Sequence, residues 1–172
     1  MFSVAHGFED AHTMIDSDRL ARLEARFAIN DLVTDLALAF DAGPSESLLL
    51  PLFTEDAVFV IDQFDTISGS KEIARGVSAN SGRGFKWGIH YFLPPKTTLN
   101  EDSTSADATF YFWGITTSVR DRAYWIGARY TSRVLRDAEN GRWQFKYLQL
   151  HAEVISHYAQ GWTTKPASFD DV

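Results

Sequence analysis

The sequence predicts an α+β fold in which a curved antiparallel sheet wraps, as a cone, against a long N-terminal helix. Three observations carry this. Apolar residues recur at helical spacing between Asp18 and Asp41, and from Trp87 onward the chain is a succession of β-branched and aromatic runs separated by turn signals. Aromatic residues make up 14% of the 172 residues, more than the core of one such domain ordinarily uses. Helices first and long strands afterward point to segregated layers rather than alternating βαβ units.

Residues 1–17 show no sustained period and read as a flexible leader or docking arm. From Asp18, the residues Leu20, Leu23, Phe27, Ile29, Leu32, Val33, Leu36 and Phe40 recur every three or four positions with charges between them, as one face of a helix requires. Gly43-Pro44 stops it. Asp41 therefore falls in the last turn, where the negative end of the helix dipole disfavours a carboxylate. A purely structural acid would sit better elsewhere. A short helix is expected over 45–50, with Ser45 as cap and Pro51 as stop. A strand is expected over 57–62, a helix over 70–79, and a loop through Asn80-Ser81-Gly82-Arg83-Gly84. Strands then follow at 87–92, 105–118, 123–136 and 142–156, each rich in residues that suit a pleated surface. The domain so defined spans 18–156, and residues 157–172 form a C-terminal tail.

A formal net charge of −7 with no basic stripe argues against nucleic acid as partner. No apolar run approaches 18 residues, and the first residues lack the basic start and apolar core of a signal peptide, so the reading is cytoplasmic, without membrane. The chain has no cysteine, which removes disulfides, thiol nucleophiles and thiolate metal sites. Glu55, Asp56, Asp62 and Asp65 match no ligand loop, and no metal is expected. Nucleophile-elbow, P-loop and dinucleotide fingerprints are absent from the sequence.

Asp41 and His90 are the chemically informative residues, each set in apolar sequence. Burial and mutual pairing can hold an imidazole as a base near neutral pH. Alone, each has a plainer reading: Asp41 as a solvated carboxylate, His90 as a core histidine satisfied by a backbone carbonyl.

The order of elements, with Ile29-Asn30-Asp31-Leu32-Val33, Phe40-Asp41, Leu52-Phe53-Thr54-Glu55-Asp56-Ala57-Val58-Phe59, Gly69-Ser70-Lys71-Glu72-Ile73, Ile89-His90-Tyr91, Gly127-Ala128-Arg129-Tyr130-Thr131 and Gly141-Arg142-Trp143, resembles the SnoaL-like group of the nuclear-transport-factor-2-like superfamily. The resemblance covers residues 18–156. It implies that Asp41 and His90 match the Asp–His dyad of scytalone dehydratase, hexachlorocyclohexane dehydrochlorinase and bile-acid dehydratases. There, histidine removes a proton and aspartate orients it, without a cofactor. The Lys and Arg that assist halide departure in the dehydrochlorinase correspond to Leu36 and Leu148, and the Tyr of bile-acid dehydratases also corresponds to Leu36. A second catalytic group is therefore sought at His151, Tyr130, Tyr91 or Arg129. Strict alternation from Trp143 puts His151 on that residue's face, and only a bulge would turn it.

The resemblance also implies a cavity lined by Phe59, Ile61, Phe85, Phe110, Phe112, Ala128 and Tyr130, besides Leu36 and Leu148. Such a lining, aromatic and poor in charge, calls for a hydrophobic, aromatic or polycyclic small molecule. The expected activity is a lyase releasing water, or formaldehyde through C–C cleavage. The alternatives are a hydrophobic-ligand carrier, an isomerase or cyclase, and a ring-hydroxylating oxygenase small subunit. Long aromatic strands, with Trp113 and Trp125 facing away from the cavity, suggest a homo-oligomer, dimer or trimer.

Overall fold

The computed structural model describes residues 5–43, 45–62 and 65–160. Helix α1 runs from Ala5 to Asp41, well before the Asp18 start that periodicity predicts. No Gly or Pro occurs between Phe8 and Asp41, so nothing in the sequence breaks the helix earlier. It ends as expected, with Ala42 N–H bonded to the Leu38 carbonyl and Gly43 at φ +80°, the left-handed conformation that terminates helices most cheaply with glycine. Pro44 and the tail beyond Gln160 lie outside the described residues, as do Met1–Val4 of the leader.

Helix α2 (Glu46–Leu49) continues into a 3-10 turn, Leu50–Leu52. Ser45 stands at its N-cap, but the hydroxyl bonds Ser47 and caps no backbone N–H. Strands β1 (Phe53–Ile61) and β2 (Asp65–Ser68) form a hairpin ahead of helix α3 (Ser70–Gly84). The segment expected as a loop at 80–84 is thus the last part of α3. Local propensity there is a weak prior that the fold overrides. Strands β3 (Phe85–Phe92), β4 (Lys96–Leu99), β5 (Ser105–Ser118), β6 (Ala123–Arg136) and β7 (Trp143–His157) complete the sheet.

The sheet order is β2-β1-β7-β6-β5-β3, with β4 also on β5. It is mixed rather than purely antiparallel: β1 lies parallel to β7. β3, β5, β6 and β7 pair as antiparallel neighbours, so the chain returns beside β1 only at its last strand. The sheet is curved but does not close, and the helices cover its inner face.

Directly paired residues share a face, so the register sorts the side chains. Ile61, Leu150, Tyr130 and Phe110 lie in one row, and Phe92, Phe112, Ala128 and Ala152 in the next. His90, Gly114, Ile126 and Ile155 form a third. These rows face α1, whose Ile29, Leu32, Val33 and Leu36 are buried in the same cluster as Phe59, Phe110, Phe145 and Leu148. Two arginines pin α1 to the β4–β5 region: Arg26 donates to the Thr97 carbonyl at 3.0 Å and Arg22 to that of Asn100 at 3.2 Å.

Candidate active site

Asp41, the last residue of α1, meets His90 on β3. One carboxylate oxygen, Oδ1, accepts the His90 backbone N–H at 2.9 Å and stands 2.8 Å from the ring Nδ1. An ionised carboxylate only accepts, so Nδ1 carries the proton and Nε2 keeps its lone pair. The backbone bond sets where β3 lies, and the ring bond sets the tautomer. This explains how a carboxylate is held at a helix C-terminus: two N–H donors compensate the unfavourable dipole.

The imidazole lies in an aromatic cage. Phe112 stacks on it, with centroids 4.8 Å apart and planes at 15°, Phe40 is tilted at 5.1 Å, and Phe92 presents a T-shaped contact at 6.0 Å. Burial pushes the His90 pKa below its ordinary 6.5, and the hydrogen bond and charge of Asp41 oppose that shift without cancelling it. Even so, the His90 and Asp41 side chains keep 27% and 28% of their surface exposed. The arrangement can take a proton from a bound molecule and hold the resulting imidazolium.

Tyr130 projects from the same face as His90. Its ring stacks on Phe110 at 5.1 Å and 12°, and burial raises the pKa of its hydroxyl far above the ordinary value. That hydroxyl makes no hydrogen bond among the described residues, so it is a donor that stays protonated.

His151 is not part of this group. The register shifts between Arg133 and Val134, where Phe145 pairs with Val134 and Tyr147 with Arg133. That leaves Lys146 as an extra residue and reverses the alternation from Trp143. Leu148 and Leu150 consequently face inward, and His151 pairs with Arg129 on the outer face, its Nε2 2.9 Å from Thr131 Oγ1 and its Nδ1 3.8 Å from Asp62. Arg129 and the 54% exposed Tyr91 lie on that outer face too.

The expected lining residues divide by depth. Phe59, Phe110, Leu36 and Leu148 are buried in one cluster, with Ala128 and Phe112 nearly as deep. Ile61 is partly buried at the edge of this cluster. Phe85 is 42% exposed. A register shift between Phe85 and Trp87 pairs it with Ser118, on the side of His90. Three polar side chains unforeseen from sequence share the inner face. Thr116, Tyr124 and His157 form the row beyond His90, with the Tyr124 and His157 rings in T-shaped contact at 5.5 Å. The sequence ends this strand at Ser156 and leaves His157 in the tail; the register with Tyr124 gives its face. Phe40 and Phe92 were likewise legible as apolar but not as the cage of His90.

Among the described residues, no three His, Asp or Glu side chains gather as metal donors, and no helix is long and apolar enough to cross a membrane.

A family model described as a SnoaL-like domain matches residues 21–149. Among solved structures, the chain is similar to the hexachlorocyclohexane dehydrochlorinase LinA-type3 of Novosphingobium barchaimii, with TM-score 0.73, 23% identity, and 86% of this chain and 99% of that one covered. It is similar to a scytalone dehydratase-like protein of Novosphingobium aromaticivorans, with TM-score 0.71, 19% identity, and coverage of 80% and 90%. A nuclear transport factor 2-like superfamily protein from Salmonella enterica gives 0.69 at 14% identity, covering 82% and 99%. No curated protein matches the sequence significantly.

Proposed function

The chain belongs to the SnoaL-like domain family, and we propose that it is a cofactor-independent lyase acting on a hydrophobic, aromatic small molecule. The observation that carries this is the double engagement of Asp41 Oδ1 by the His90 backbone and ring, which leaves Nε2 as a free base beside apolar surface. The similarity to a dehydrochlorinase and a scytalone dehydratase-like protein supports proton abstraction as the shared step.

His90 Nε2 takes a proton from the substrate, and Asp41 stabilises the imidazolium. When the proton leaves carbon, its bonding pair forms the new double bond, the C–O bond breaks, and the departing hydroxide is protonated to water. When it leaves the hydroxyl of a hydroxymethyl group, the freed O–H pair becomes the second C=O bond of formaldehyde, the adjacent C–C bond breaks, and its electron pair stays on the remaining carbon, which takes the proton back from the imidazolium. A positioned base contributes roughly 10²–10⁴-fold; the remainder comes from donors aimed at developing negative charge. Tyr130 is one such donor, and the Tyr124–His157 pair on the same face is a second. Leu36 and Leu148, apolar and fully buried, offer nothing to a departing halide, which favours water or formaldehyde.

The outer sheet face supports assembly as a homo-oligomer. Trp87, Tyr91 and Tyr111 are 52%, 54% and 58% exposed, and Tyr91 pairs across strands with Trp113, which packs 5.6 Å from Trp125. A contiguous aromatic surface of this kind marks an interaction site, and a second copy of the chain is the partner proposed.

The test is turnover of a panel of β-hydroxy aryl carbonyl compounds and aryl carbinols by the parent, His90→Ala and Asp41→Asn. The proposal expects at least one compound to be consumed by the parent and neither variant to approach its rate. Equal turnover by His90→Ala would refute the mechanism and leave a ligand-binding protein.

A further inference from the structure

Gly114 on β5 stands directly opposite His90 on β3. A Cβ at Gly114 would lie 2.6 Å from Cζ and 2.7 Å from Cε2 of Phe112, and 2.9 Å from the Ile89 carbonyl oxygen. Neither the ring nor the neighbouring backbone can be that close to a carbon. The requirement is for space rather than for an unusual backbone angle, since Gly114 is not among the positive-φ residues. The Phe112 ring leans along its own strand into the position that any other residue at 114 would fill, and there it lies flat against the imidazole. Phe40 and Phe92 approach at 45° and 87°. Among the described residues, Phe112 alone gives the imidazole a nearly parallel ring face.

An aromatic face carries the negative part of the ring quadrupole, so its attraction to an imidazolium exceeds its attraction to a neutral imidazole. We propose that Gly114 and Phe112 are a positioning pair for His90: Gly114 leaves the vacancy, Phe112 fills it with a ring face, and that face stabilises the imidazolium formed when Nε2 takes a proton. This rests on the base role of His90 proposed above. The ring is faced by Asp41 and Phe40 from α1, Phe92 from its own strand, and Phe112 and Gly114 from β5. Asp41 is thus the charged partner at the edge of the imidazole, and Phe112 the uncharged one across its plane.

The experiment is a double-substitution cycle in the full chain, with Phe112→Leu, Gly114→Ala and the pair, read first by NMR titration of the His90 imidazole without any ligand. Phe112→Leu keeps an apolar neighbour and removes the quadrupole. It lowers the His90 pKa by about half a pH unit to one unit and kcat by about three- to tenfold, with KM changing less. Gly114→Ala displaces the ring and shifts the pKa in the same direction, and once Phe112 is Leu only the part of its effect that runs through the Ile89 carbonyl is left. An unchanged His90 pKa in Phe112→Leu overturns the proposal, as does full additivity of the two substitutions. If Gly114→Ala fails to fold, Phe112→Leu decides alone. The titration is independent of turnover. A fully active His90→Ala would overturn the base role, while the titration would still report whether Phe112 stabilises the charged ring.

Discussion

Replacing Asp41 with Asn isolates the charge in the dyad. Asn is nearly isosteric, and its Oδ1 can still accept both His90 N–H groups, so geometry and tautomer persist while the negative charge disappears. With Oδ1 2.8 Å from Nδ1, the ion pair formed at proton transfer is worth about 1.5 kcal/mol at the dielectric constant of water and about 6 kcal/mol at an effective constant of 20. The dyad is about three-quarters covered, between those limits, so kcat falls by about 10²–10³-fold. KM changes little, because Asp41 faces the imidazole rather than the ligand. The pH profile gives an independent sign. His90 must be neutral to act, and its pKa lies below 6.5, so the parent's kcat/KM is lost on acidification with a midpoint below that value. Asn removes the charge that raises the pKa, weakens the hydrogen bond that also raises it, and leaves the burial that lowers it, so the midpoint moves further toward acid while the plateau drops. A lower plateau with a more acid midpoint cannot come from partial unfolding. A plateau within threefold of the parent, or a midpoint displaced upward, would refute the reasoning.

Other outcomes follow from the same geometry. His151→Ala leaves kcat within about twofold, since its ring lies on the outer face with Thr131; a large loss in steady-state rate would contradict that placement. Tyr130→Phe removes only a hydroxyl from a ring stacked on Phe110, so Tm changes little while kcat falls about tenfold; an unchanged kcat removes Tyr130 from the donor set. Phe110→Ala, at 1% exposure, costs about 3–5 kcal/mol in denaturant unfolding, and a cost under about 1 kcal/mol would mean the cluster is loosely packed. Tyr111→Glu places a charge in the exposed aromatic face, and light scattering should show the oligomer dissociating, whereas an unchanged mass would move the interface elsewhere.

The long strands were legible because two turn-flanked, aromatic-rich runs, 105–118 and 123–136, coincide with β5 and β6. The end of α1 was legible from Gly43. What escaped was set by partners distant in sequence. The four-residue strands β2 and β4 have too few residues to show a period, and their structure comes from pairing with β1 and β5. The parallel contact of β1 with β7 joins segments about ninety residues apart, and composition carries no trace of it. Asp41 and His90 were picked out by family resemblance, and their contact depends on α1 ending at the same level as the middle of β3. His151 was misplaced as a candidate because one extra residue at Lys146 inverts the faces of β7 as far as Ala152. A second shift, between Gly127 and Ala128, restores the original alternation and leaves His157 on the inner face. Gly114 reads in sequence as a weak point in a strand, and only the folded Phe112 ring gives it a reason.

The central claim is that His90 removes a proton from a bound substrate. It is tested most directly with the compound the parent consumes, deuterated at the position to be deprotonated, by comparing the parent with His90→Ala. The account expects a primary isotope effect on kcat/KM in the parent when a C–H bond breaks, a solvent isotope effect instead when the proton comes from a hydroxyl, and loss of turnover in His90→Ala. Turnover by His90→Ala at the parent's rate, with the same isotope effect, would contradict it.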